Sequence, residues 1–479
     1  MLRKTSTPQS WPIKKAAMAE SRLTVPPCRG PAKRYPQARA DMTFHGKTVA
    51  EIFDCVRTLA HSGRLPAGAS LPPVRELAAT LGVNRNTVAA AYRRLVLAGL
   101  AQTQGRLGTL IRDARSAGEQ EGAQADSPLI DLASGNPNPC WLPDPRAALP
   151  AYRPRLYGEA TLNPGLRDYL QTWFSPDCPP DFEIDLAHGA VDAIERLLGA
   201  YLVAGDKVAV ENPCFLSSIN TLRTLGLQAL SVPVDRQGMA TSALQTALAK
   251  GARAVILTPR AHNPTACSMS ESRAREVSRL LARHPDVLLI IDDHFALLSR
   301  SPYYSALPRR AGRWALVRSF SKALGPDLRM AAIASDPSTS AQLRLRLASG
   351  TNWVSHLLQD MAETALTHPE SIRQLSAARA DYQQRRQTLE AALRNQGISF
   401  LAHGDGLNLW VPLPAQDLDV AQDLARQGWL LRHGQAFSVQ APVQGLRITL
   451  STLLPAQCEQ LARDLHRSLA ARGLLNEAS

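Results

Sequence analysis

Apolar residues recur every third or fourth position from Val49 to Ala60. Val49, Ile52, Phe53, Val56, Leu59 and Ala60 share one helical face, and Gly63 with Pro66 ends the helix. The stretch PPVRELAATLG repeats that spacing at Val74, Leu77, Ala78 and Leu81, with proline tolerated in the first turn and Gly82 as a stop. Asn84 then caps a third helix, RNTVAAAYRRLVLAG, which buries Val88, Ala91, Tyr92 and Leu95 and leaves Arg85, Asn86 and Thr87 exposed at its start. Behind it, LAQTQGRLGTLIR reads as a β-hairpin with Gly105 and Gly108 in the turn and Arg106 at the tip. Helices followed by a hairpin, with the third helix opening in polar and basic residues, predict a winged helix-turn-helix over residues 42–112.

The pattern then breaks. Residues 113–127, DARSAGEQEGAQADS, are small and polar without periodicity, which predicts a flexible linker. From Pro128 onward short aliphatic runs alternate with helical stretches: KVAV, AVILT, VLLII, ALVRS and AAIAS. Such runs suit parallel strands covered on both faces, so residues 128–479 predict an α/β domain. In open α/β sheets functional groups gather at the carboxyl ends of the strands, and each of these runs ends in a different polar residue.

Composition narrows the class. A chain of 479 residues with 45% apolar side chains can fill two or three packed cores. No window approaches the ~18 consecutive apolar residues that a membrane helix needs. Residues 1–41 hold nine Lys or Arg against two acids and so supply +7 of the net charge of +13. They read as a disordered basic lead without the apolar segment of a secretory signal, and Met42, directly before the first periodic segment, is an alternative start. The remaining +6 is a weak argument for nucleic acid by itself. Seven cysteines without a CxxC pair suit free thiols in a reducing cytoplasm, and the eleven histidines show no metal-ligand spacing, so no metal site is expected.

At the start of the third helix, Arg85 suits a guanine edge or a phosphate, and Asn84, Asn86 and Thr87 add short hydrogen-bonding arms. A helical protein-interaction module is the bland alternative. The run GASLPPVRELAATLGVNRNTVAAAYRRLVLAGLAQTQGRLGTLI resembles the DNA-binding domain of GntR-type bacterial regulators across residues 44–112. That resemblance implies double-stranded operator DNA as a partner and DNA contacts from Arg75, Arg85, Thr87, Gly105 and Arg106.

The α/β part carries a second set of groups. After VLLII come Asp292 and Asp293, after AVILT comes Asn263, after ALVRS comes Lys322, and after KVAV comes Phe215. A lysine, a carboxylate, an amide and an aromatic ring suit a pyridine-ring aldehyde cofactor. The Lys322 amine can bond to the aldehyde, and a buried acid can keep the ring nitrogen protonated. Asp292, immediately behind the apolar strand, is preferred to Asp293 for that role. Asn263 can donate to the ring's phenolic oxygen and Phe215 can stack on its face. The helix starting after Gly189 offers backbone N–H groups with Ala190 and Val191, and Ser319, Ser321 and Arg329 can complete a phosphate site.

Taken singly, each of these residues is more often a cap, a turn or a surface charge. Their order, ending in Arg447 of GLRITLS, resembles the aspartate aminotransferase superfamily of fold type I over roughly residues 130–475. The resemblance implies pyridoxal 5′-phosphate as cofactor, a substrate-carboxylate grip at Arg447, and a homodimer in which Tyr157 reaches the partner's cofactor phosphate. A winged helix joined to such a domain resembles the MocR subfamily of GntR regulators. The chain departs from the pattern at Ala190, where a hydroxyl residue is common, at NPTA in place of NPTG, and at His294, where a tyrosine is common. His294 can still bond the phenolic oxygen or can be structural. The reading is therefore a cytoplasmic transcription regulator that senses pyridoxal 5′-phosphate or an amino compound reacting with it. A working aminotransferase that also binds DNA, or a scaffold that only dimerises, are the alternatives.

Overall fold

The computed structural model describes residues 43–475, apart from residues 67, 99, 104–107, 112–119, 123–126, 145, 148, 150–151, 309–311, 349 and 351–352. The basic lead, the wing residues Gly105 and Arg106, and most of the linker lie outside the described residues.

The front end forms α1 (Val49–His61), α2 (Val74–Leu81), α3 (Arg85–Leu97) and an antiparallel pair, β1 (Ala101–Thr103) and β2 (Thr109–Ile111). Thr48 and Glu51 close a reciprocal cap at the start of α1. Gly82 ends α2 with φ at 64°, a left-handed turn that a Cβ would strain. Asn84 caps α3, its side-chain oxygen accepting from the Asn86 N–H at 2.8 Å. One core joins the three helices through Ile52, Phe53, Val56, Leu77, Val88, Ala91, Tyr92 and Leu95. Tyr92, the polar member, donates its hydroxyl to the Pro72 carbonyl at 2.8 Å.

The large domain is built on an eight-stranded sheet. In chain order its strands are β4 (Glu183–Ala187), β5 (Lys207–Asn212), β6 (Gln228–Asp235), β7 (Gly238–Met239), β8 (Ala252–Leu257), β9 (Leu288–Asp292), β10 (Trp314–Ser319) and β11 (Ala331–Ser335), after a short β3 (Ile130–Asp131). The spatial order is β4-β11-β10-β9-β8-β5-β6-β7. Adjacent strands from β10 through β9, β8 and β5 to β6 pair in parallel. Alternate residues feed two cores: Leu289, Ile291 and Leu316 on one face, Leu288, Ile290 and Val317 on the other. One expectation fails here, because AAIAS is β11 and runs antiparallel to both β10 and β4. The connection from β10 to β11 spans only residues 320–330 and contains one four-residue helix, too little chain for a parallel crossover.

The C-terminal part forms a smaller sheet of β12 (Asn408–Pro412), β15 (Gly445–Thr449) and β14 (Arg432–His433), with its own apolar core. β3 pairs in parallel with β13 (Trp429–Leu430), which stitches the beginning of the domain to its end. No helix among the described residues is long and apolar enough to cross a membrane, and no group of side chains among them could hold a metal ion.

Candidate functional site

The carboxyl ends of β5, β8, β9 and β10 open into one cavity of about 760 Å³. Phe215, Asn263, Asp292, His294, Ser319, Ser321, Lys322 and Arg329 line it, together with Ala190 and Val191. Gly189 sits beside them with φ at 97°, and a Cβ there would approach the Arg329 guanidinium to 3.4 Å. Ala190 and Val191 begin the helix Ala190–Tyr201, so their N–H groups face the cavity side of a helix N-terminus. Arg329, held at φ 46°, donates to the His188 carbonyl at 3.3 Å. Ser319 accepts from the Ser321 N–H at 3.3 Å.

The adjacent acids Asp292 and Asp293 have different partners. Asp293 is fully buried and paired with two arginines, through Arg260 Nε at 3.0 Å and Nη2 at 2.6 Å, and through Arg318 Nε at 3.1 Å. Arg318 also pairs with Asp177 and lies over the Trp173 and Phe174 rings at 4.6 and 4.7 Å. Asp292 lines the cavity, and its Oδ1 is buried without a hydrogen-bond partner among the described residues. Burial, and then the neighbouring Asp293 charge, push its carboxyl up to about 7. Beneath it Glu211 is raised to about 8 by burial, while it accepts from the Thr258 N–H at 3.0 Å and lies 3.4 Å from His262. Burial, then the Lys322 charge, lower His294 to about 4, so it faces the cavity as a neutral ring.

Lys322 lies in a short helix directly after β10 and donates Nζ to the Gly135 carbonyl at 2.5 Å. Burial, opposed by Glu121 and assisted by Arg447, holds its amine below the ordinary lysine range. That shift favours the neutral, nucleophilic form.

Arg447 is fully buried and does not line the cavity; Glu121 does. Two parallel contacts join them, Nη1 to Oε1 and Nη2 to Oε2, the second at 2.8 Å. Asn263 bonds both partners, donating to Glu121 Oε1 at 3.1 Å and accepting from Arg447 Nη1 at 3.0 Å. Glu121 belongs to the stretch expected to be a flexible linker. Its immediate neighbours are fixed as well: Gly122 N–H donates to the Ser134 carbonyl at 3.0 Å, and Arg432 Nη2 donates to the Gln120 carbonyl at 3.0 Å. Small, polar, aperiodic sequence carries no sign of this docking, because the demand comes from an arginine more than three hundred residues away.

Tyr157 does not join the cavity. It is 92% exposed and meets Trp353 edge-on at 5.7 Å. Arg75, Asn84, Arg85 and Asn86 are exposed on α2 and α3, with Thr87 half-buried beside them.

Comparison with known proteins accounts for both halves. Residues 130–465 match the aminotransferase class I and II family, and residues 48–111 match the gntR family of bacterial regulatory proteins. The vitamin B6 salvage pathway transcriptional repressor PtsJ of Salmonella typhimurium is 53% identical over 88% of this chain and 99% of its own. The chain belongs to the MocR-type regulators. The HTH-type transcriptional regulator TauR of Rhodobacter capsulatus is 29% identical over 78% of this chain and 86% of its own. The "probable rhizopine catabolism regulatory protein MocR" of Rhizobium meliloti is 23% identical over 76% and 79%. Among solved structures, the kynurenine aminotransferase of Pyrococcus horikoshii superimposes with a TM-score of 0.66 at 22% identity, over 72% of this chain and 92% of its own, which establishes the fold.

The donor set fits the cofactor of that fold. The orphaned Asp292 oxygen suits a protonated ring nitrogen, the Lys322 amine suits an aldehyde, and the helix N-terminus with Arg329 suits a phosphate.

Proposed function

We propose that this MocR-type regulator binds pyridoxal 5′-phosphate in the cavity at Lys322 and that occupancy sets its affinity for operator DNA. The observation that carries the reading is the unpartnered Asp292 Oδ1, buried in the same cavity wall as Lys322 and Arg329. A buried acceptor with no donor is costly unless a ligand supplies one. When bound, the cofactor supplies an aldehyde and an electron-withdrawing pyridinium ring.

The residues then divide the work. Lys322 holds the cofactor covalently, Asp292 holds the ring-nitrogen proton, and Asn263 and His294 address the phenolic oxygen. Phe215 packs on the ring. Gly189, Ala190 and Val191 with Ser319, Ser321 and Arg329 hold the phosphate, Ala190 contributing its N–H but no hydroxyl. In the reader, Arg75, Asn84, Arg85, Asn86 and Thr87, with Gly105 and Arg106 on the wing, contact double-stranded DNA. The protein works in the cytoplasm as a homodimer, with Tyr157 reaching the partner's cofactor phosphate. Kinship with the Salmonella repressor supports genes of vitamin B6 salvage as the target.

Operator binding titrated with pyridoxal 5′-phosphate tests the reading. Wild type should show a cofactor-dependent shift in operator affinity and a visible-edge absorbance band, both lost in Lys322→Ala. Identical shifts in the two proteins would remove Lys322 from the switch.

A further inference from the structure

Just behind the cavity lining, a fully buried arginine already has both terminal nitrogens paired with a carboxylate from its own chain. Glu121 meets Arg447 through both oxygens and shares Asn263 with it. Three further features build this contact. Gly135 lies against it with φ at 66°, and a Cβ there would stand 2.7 Å from Glu121 Oε2. The residues on both sides of Glu121 are bonded through their backbones, Gly122 to Ser134 and Gln120 to Arg432. Arg447 Nη2 also donates to the Ala133 carbonyl, so the guanidinium is anchored from the same segment. Burial works against the Glu121 charge, yet Arg447 keeps the carboxyl below its ordinary range, so it is ionised at neutral pH.

We infer that Glu121 acts as a built-in carboxylate that fills the carboxylate subsite at Arg447, making the pocket selective for a phosphopyridoxyl ligand without a carboxylate over its amino-acid conjugates. The inference rests on the proposed cofactor reading and assigns it a selectivity. A ligand carboxylate entering the subsite must expel a paired, preorganised one of the same charge. It must also release the Gln120–Gly122 segment that leads back to the reader. A ligand that ends at its amine meets neither cost. Glu121 thereby also opposes steady transamination, which requires amino and keto acids to occupy that subsite.

Calorimetry on the full-length apo protein tests this with three stable probes: pyridoxamine 5′-phosphate, N-phosphopyridoxyl-L-alanine, and N-phosphopyridoxyl-ethylamine, which adds bulk without a carboxylate. Wild type should bind pyridoxamine 5′-phosphate at least about tenfold more tightly than the alanine conjugate, a difference the size of one charged contact. In Glu121→Ala the alanine conjugate should gain about tenfold or more relative to the ethylamine conjugate, because an unpaired buried arginine then seeks an anion. Glu121→Gln keeps the shape without the charge and should shift the same ratio in the same direction by less, so it decides the matter if the alanine variant fails to fold. A wild-type protein that binds the alanine conjugate as tightly as pyridoxamine 5′-phosphate would overturn the inference without any variant. An unchanged ratio in a folded variant would overturn it too. If wild type takes up neither pyridoxamine 5′-phosphate nor pyridoxal 5′-phosphate, the cofactor reading itself falls. If it takes them up and the ratio stays put, only the role of Glu121 falls.

Discussion

Asp292 and Asp293 share one strand end and opposite fates. Two guanidinium groups neutralise Asp293, whereas Asp292 is buried with one oxygen unmatched and its carboxyl raised to about 7. A carboxyl whose folded pKa lies above its unfolded value stabilises the fold fully below the unfolded pKa, and that contribution is lost as pH rises through the folded one. For Asp292 the window runs from about pH 4 to about pH 7. Asp292→Asn removes this titration and leaves those of Glu211, His262 and His294 around it. The melting temperature of the apo variant should therefore gain on wild type across that window, by the equivalent of roughly 1 kcal/mol or more, and stay level above it. Parallel thermal melts from pH 4 to 8 check this; a constant offset at all pH values would mean that Asp292 is ionised throughout. The same variant should lose cofactor affinity, since an amide does not hold the ring-nitrogen proton.

At the scale of elements, the reader separates a buried stripe from an exposed helix start. In α3, Val88, Ala91, Tyr92 and Leu95 are buried while Arg85 is exposed one turn earlier. Arg85→Ala should cost about 1–3 kcal/mol of specific operator binding and leave cofactor uptake intact. Gel-shift titration beside a cofactor titration measures both, and a parallel loss of the two would couple α3 to the cavity. The spacing of apolar residues made these helices legible, because a helix buried on one face writes its period into the sequence. Strand runs likewise placed Lys322, Asp292 and Asn263 at strand ends. Direction was not legible for AAIAS: buried aliphatic residues look alike in parallel and antiparallel strands, and only the short link from β10 decides. Nor was Glu121, since its partner Arg447 is remote in sequence and no local rule links them. The Arg260–Asp293–Arg318 cluster escaped for the same reason.

On the scale of the whole molecule, the proposed homodimer gives Tyr157 a task. A tyrosine 92% exposed, meeting Trp353 edge-on, contributes little to the packing of its own domain. If it reaches the partner's phosphate site, Tyr157→Phe should weaken pyridoxal 5′-phosphate binding by about tenfold or more, the worth of one hydrogen bond to an anion, with the protomer's own stability unchanged. Cofactor titration with a thermal melt checks both, and unaltered affinity would remove Tyr157 from the site.

The docked segment also has a mechanical consequence. Glu121 lies ten residues beyond Ile111, the last residue of β2. Ten residues span at most about 36 Å, whatever their conformation. With Glu121 seated, that length limits how far the reader can lie from the pocket; if the Gln120–Gly122 segment is released along with it, β3 at Ile130 becomes the anchor considered and the limit nearly doubles. In a dimer, that limit bounds how far apart two readers can be placed on one DNA duplex. Displacing a single carboxylate would thus change which half-site spacings the protein can span, without altering any residue that touches a base.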